Sequence, residues 1–141
     1  MIRQGPGFLR SKVLIFETIC VLYSFEMQST SNSKEKSRLA AESIEAVKCF
    51  VTDFTRNPSA ASHPLIFYYN FLGENYIKIG DTKTAYEHFL KAEAIVLLKR
   101  DELKLTEVMG LYKNLGECEL VLGLHENALG RIKQIQEVPI R

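Results

Sequence analysis

The stretch NFLGENYIKIGDTKTAYEHFLKA, residues 70–92, has a near-twin further along the chain, KNLGECELVLGLHENALGRIKQI, residues 113–135. Superposed with an offset of 43 (115 − 72 = 43), Leu72 falls on Leu115, Gly73 on Gly116, Glu74 on Glu117, Gly80 on Gly123 and Ala85 on Ala128. Just upstream, Tyr69 falls on Tyr112. The shared positions are structurally demanding ones. Gly73 and Gly116 are placed to let a neighbouring helix come close to the backbone, and Gly80 and Gly123 to turn the chain. Ala85 and Ala128 are small where a second helix would cross the first. A single hairpin of this kind cannot bury its own apolar face, so copies are expected to stack and share a core.

Hydrophobic spacing around the two stretches is helical. Leu65, Tyr68, Tyr69, Leu72, Tyr76 and Ile79 recur at steps of three and four, and Ala85, Phe89, Ala92 and Val96 continue after Asp81. Ala41, Ile44, Val47, Phe50 and Val51 form a comparable stripe earlier in the chain. No segment alternates with a period of two. The chain therefore reads as all-α, with about six helices in about three antiparallel pairs.

Breaks fall at Gly5-Pro6-Gly7, at the polar QSTSNSKEKS (28–37) and at NPSAASHP (57–64), where Ser62 is placed to cap a helix carrying Pro64 in its first turn. Gly80-Asp81 should end one helix and cap the next, a weaker break lies near Asp101, Gly123 makes another, and Pro139 closes the pattern. These divide the chain into a flexible extension over 1–10 and a first, degenerate hairpin over 11–56 with its polar linker at 28–37. Hairpins over 57–100 and 101–137 and a tail over 138–141 complete it.

Composition excludes several classes of function. Eighteen Lys and Arg stand against seventeen Asp and Glu, a net charge of +1, so no field exists to gather a phosphate backbone or anionic lipid. Neither nucleic acid nor membrane is an expected partner. The basic residues Arg3, Arg10 and Lys12 before the apolar run 13–25 imitate a signal peptide. Glu17 interrupts that run, no small-residue cleavage site follows, and it falls short of the ~20 apolar residues of a spanning helix. Cys20, Cys49 and Cys118 lie far apart inside apolar helical patterns, as reduced, buried thiols of a cytoplasmic protein would.

The order Tyr69, Leu72-Gly73, Tyr76, Gly80, Ala85, Phe89, Ala92 resembles the tetratricopeptide repeat, a helix-turn-helix unit. Leu97 stands where the closing Pro of that motif belongs, so the second helix is expected to run on. In the later copy Glu119 replaces an aromatic, while Ile132 and Ile135 replace an aromatic and a small residue. A first copy would use Phe16, Ile19, Cys20 and Tyr23, with Ala46 and Phe50 on its second helix. The usual unit is about 34 residues, nine fewer than the offset here (43 − 34 = 9), and the extra length falls between Glu93 and Tyr112.

The resemblance implies an α-solenoid of about three hairpins that acts through protein–protein interaction. The first helix of each pair would line a concave groove for a peptide or helix of a partner. Candidates for that surface are Glu17 and Val21 in the first unit and Asn70, Glu74, Ile77 and Lys78 in the second. In the third they are Lys113, Glu117, Leu120 and Val121. Asn70 and Lys113 suit an extended backbone or a carboxylate, whereas Glu74 and Glu117 favour a basic or amide-rich ligand. Those two acids intrude where relatives that clamp the carboxylate tail of heat-shock chaperones carry neutral or basic residues, which disfavours that ligand.

No catalytic, cofactor or metal constellation emerges. His63, His88 and His125 have no partners at zinc spacing and read as histidines near helix starts or on a polar face. The glycines lack the strand and the Lys-Thr or Lys-Ser of a phosphate loop. The expectation is a non-enzymatic adaptor or scaffold module. Two further readings stand beside it: a peptide-sensing regulatory domain, and a structural segment of a larger scaffold, favoured by the finish at EVPIR without a polar capping helix. Exposed repeat ends also allow self-association.

Overall fold

The computed structural model describes residues 6–56, 58, 61–99 and 103–137, and among them it is all-helical, with seven helices and no strand. They are α1 (Pro6–Ser29), α2 (Ser33–Val47), α3 (Phe50–Arg56), α4 (Ser62–Lys78), α5 (Thr82–Leu98), α6 (Leu105–Val121) and α7 (His125–Glu137).

The boundaries of α4 and α5 recur in α6 and α7 at the same offset of 43: starts at 62 and 105, ends at 78 and 121, second helices from 82 and from 125. The turns recur bond for bond. Asp81 N donates to Tyr76 O at 2.9 Å and Gly80 N to Ile77 O at 3.0 Å. Correspondingly, Leu124 N donates to Glu119 O at 2.7 Å and Gly123 N to Leu120 O at 3.2 Å. This paired arrangement satisfies the last carbonyls of a helix around a left-handed residue. Gly80 and Gly123, with φ of 87° and 79°, supply that conformation at no steric cost. The next helix starts at once, because Asp81 Oδ1 accepts Thr84 N at 3.1 Å.

The first third of the chain departs from the expected single hairpin. Helix α1 already begins at Pro6, inside the segment read as a flexible extension, with proline in the first turn where its missing N–H costs nothing. The polar linker at 28–37 is mostly helix. Asn32 caps α2, accepting Lys34 N at 2.9 Å and Glu35 N at 3.3 Å, so only residues 30–32 connect α1 to α2. The following helix then breaks at Lys48 and Cys49, and Phe50 belongs to a separate short α3. Ala41 is exposed, since the buried face of α2 is Leu39, Ala40, Ser43, Ile44 and Val47. Ser62 is the first residue of α4 and not its cap; Ala61 occupies that place without a side-chain bond. Expectations placed at Asp101 and Pro139 and over 1–5 and 138–141 lie outside the described residues.

Two apolar clusters share α4. In the first, Phe16 of α1 is fully buried against the rings of Phe50 (5.5 Å), Phe54 (5.3 Å) and Tyr68 (6.0 Å). Truncating so buried a ring costs about 3–5 kcal/mol. The second joins Ala85, Phe89, Ala92 and Val96 of α5 to Val108, Leu111, Tyr112, Leu115 and Cys118 of α6. Tyr69 and Tyr76 of α4 pack against both clusters. Ala85 and Ala128 are both buried. A Cβ on Gly73 would meet the Phe89 ring at 2.5 Å, so α5 lies directly on the α4 backbone there.

The last pair is held by a buried charge cluster. Glu119, fully buried, accepts the Tyr86 hydroxyl at 2.7 Å and Arg131 Nε at 3.3 Å, while Arg131 also pairs with Glu93. One side chain from α7 thus ties α5 to α6. Burial pulls the Arg131 guanidinium down, but the hydrogen bond to Glu119 and the charge of Glu93 raise it beyond its ordinary value.

Candidate functional site

Helices α1, α4 and α6 enclose a concavity of about 400 Å³. Its apolar lining comes from Val13, Ile66, Phe67 and Leu111, and its polar lining from Glu17, His63, Asn70 and Glu107. Seven residues separate the start of α4 from Tyr69 (69 − 62 = 7) and the start of α6 from Tyr112 (112 − 105 = 7). That common length brings the first turns of both helices, carrying His63 and Glu107, to the same mouth.

A polar ladder continues from the cavity. Asn114 Nδ2 donates to Asn70 Oδ1 at 3.1 Å, and Asn70 Nδ2 donates to Glu74 Oε1 at 3.1 Å. The first of these bonds crosses from α6 to α4 and ties the two helices together beside the cavity. Neither Glu17 nor Glu107 takes part in an ion pair among the described residues. Two carboxylates beside an apolar floor suit a basic side chain with an aliphatic stem, whose methylenes pack while its head meets the acids.

The ten expected groove residues do not form one surface. Glu17 and Asn70 line the cavity, and Glu74 joins it through the ladder. Val21 lies one turn further along α1, in a smaller cavity of about 280 Å³ with Cys20, Phe25 and Phe67. Lys113, Glu117 and Leu120 line a separate cleft between α6 and α7, where Lys113 Nζ lies 3.9 Å from Glu117. Ile77, Lys78 and Val121 are exposed near the helix ends and line none of these three hollows. Val13, His63, Ile66, Phe67, Glu107 and Leu111 line the cavity as well, although nothing in the sequence pattern singled them out. Ile66 and Phe67 sit one turn before Asn70, a spacing that would have exposed them once α4 was known to start at Ser62.

Cysteine and histidine placements also differ from expectation in part. Cys20 and Cys118 are buried, but Cys49 is exposed. Burial, with the charge of Glu17 behind it, pushes the Cys20 thiol up to about 12, so it is a poor nucleophile at neutral pH. His63 and His125 are exposed, whereas His88 is half-buried, stacked on Tyr76 at 5.2 Å with Nδ1 2.9 Å from Thr84 O. Among the described residues no three His, Cys, Asp or Glu side chains are placed to hold a metal ion, and no helix is long and apolar enough to cross a membrane. No protein family, curated protein or solved structure matches the chain.

Proposed function

We propose that this chain is a tetratricopeptide-like α-solenoid of about three hairpins that works as a protein–protein interaction module. It is an adaptor or scaffold that holds a peptide or helix of its partner in the groove of α1, α4 and α6, without chemistry of its own. The observation that carries this reading is the concavity built from those three helices, with Glu17, Asn70 and Glu107 gathered around an apolar floor. The recurrence of helix bounds and turn bonds at an offset of 43 supports the stacked arrangement. Three free cysteines support a cytoplasmic setting.

The preferred ligand carries Lys or Arg next to an apolar residue. Selection from a displayed peptide library tests this directly. The native chain should enrich such basic peptides, and a Glu17→Lys/Glu107→Lys variant should bind them roughly tenfold more weakly or worse, because like charges facing each other cost several kcal/mol. Equal binding by both chains, or enrichment of acidic peptides, would contradict the reading.

A further inference from the structure

Helix α1 is apolar on two opposite sides. Its inner side buries Phe16, Cys20 and Met27, while Leu14, Val21, Leu22 and Phe25 form an outward stripe, with Phe25 68% exposed. A contiguous exposed apolar patch of this kind on a protein surface marks a place of contact. At the other end of the succession of packed helices, the α6–α7 pair has an open cleft of about 500 Å³ lined by Gly116, Leu120, Ala128, Leu129, Ile132 and Ile135.

The α4–α5 pair shows what fills such a cleft. There the Phe89 ring occupies the notch over Gly73, and α6 covers the pair through Val108, Leu111, Tyr112 and Leu115. In α7 the residue corresponding to Phe89 is Ile132, 51% exposed, and the notch over Gly116 has only Arg131 Cβ nearby, at 3.8 Å. No helix among the described residues covers this second pair. The covering stripe of α6 has spacing i, i+3, i+4, i+7, and Thr18, Val21, Leu22 and Phe25 of α1 repeat that spacing with an aromatic ring to spare for the notch.

We propose that copies of this chain associate head to tail, the outward stripe of α1 covering the α6–α7 cleft of the next copy with Phe25 seated over Gly116. Such a heterologous contact joins two different surfaces, so it propagates into a ring or filament instead of stopping at a dimer.

Sedimentation velocity on three chains tests it. The native chain should grow beyond a dimer with concentration. Phe25→Glu places a charge in an exposed position and should give monomer. Ile132→Phe restores the ring that closes the pair from within and should also give monomer, with a melting temperature no lower than the native chain's. Mixing the two variants should yield a dimer, because one retains an intact cleft and the other an intact stripe. A native chain that stays monomeric, or a variant mixture that does, overturns the proposal. So does a monomeric native chain that co-sediments with phosphatidylcholine vesicles through Phe25, which would make the stripe a lipid-facing surface.

Discussion

A methyl group added at Gly73 meets the Phe89 ring at 2.5 Å, whereas one added at Gly116 comes no closer than 3.8 Å to Arg131 Cβ. Alanine favours a helix over glycine by about 1 kcal/mol, and forcing an extra carbon into a filled core costs about 1–3 kcal/mol. Phe89 is fully buried, so its ring cannot swing aside without leaving its cluster. At concentrations where the chain is monomeric, urea denaturation should therefore show Gly73→Ala less stable, by up to about 2 kcal/mol, and Gly116→Ala more stable by about 1 kcal/mol. The cysteines give a second expectation. Iodoacetamide near neutral pH should label Cys49 well ahead of the buried Cys20 and Cys118. Burial raises the two buried thiols to about 12 and about 11 from an ordinary 9.0, so the folded chain keeps protons that the unfolded chain releases. Stability should accordingly fall as pH climbs from 9 towards 12, and less steeply in a Cys20→Ala/Cys118→Ala variant. Gly73, Ala85 and the turn glycines were legible in the sequence because the two matching stretches isolate positions where size or φ decides. Cys49 and Glu119 were not. Cys49 follows an apolar helical spacing yet falls at a break, and a lone Glu within such a spacing reads as a misfit until the Tyr86 and Arg131 that satisfy it are brought alongside by the fold.

Helix α7 depends on the cluster at Arg131 more than on its apolar face, since Leu129 and Ile132 are largely exposed. Arg131→Ala would leave Glu119 fully buried without its cation, and breaking such a pair costs about 3–5 kcal/mol. Chemical denaturation should register a loss near the lower figure, and amide hydrogen exchange should show α7 losing protection before α4 and α5 do. Helix positions from 62 onward were largely readable, because Gly80, Asp81 and Gly123 each impose a local geometry that little else can satisfy. Two features of the first third were hidden. The Ser/Lys-rich segment looks like a solvated linker by composition, although Asn32 followed three residues later by Glu35 is a helix-start signature. The break at Lys48 and Cys49 has no Gly or Pro to announce it, so α2 and α3 read as one helix.

Across the whole molecule, α4 is the shared wall: Tyr69 and Tyr76 serve both apolar clusters, and Asn70 reaches α6 through Asn114. That wall gives the proposed groove its shape, so neither α1 nor α6 can shift away without opening one of the clusters. The acidic, concave side was partly legible through Glu17, Asn70 and Glu74. Glu107 and Leu111 were not, because they enter the site only once α6 is known to begin at Leu105. The most direct measurement is an amide chemical-shift map of the native chain titrated with a short Lys/Arg-bearing peptide from the library selection. Shifts should gather at Val13, Glu17, His63, Phe67, Asn70, Glu107 and Asn114; shifts gathered instead on the outer faces of α2 and α5, around Ala41 and Glu87, would contradict the account.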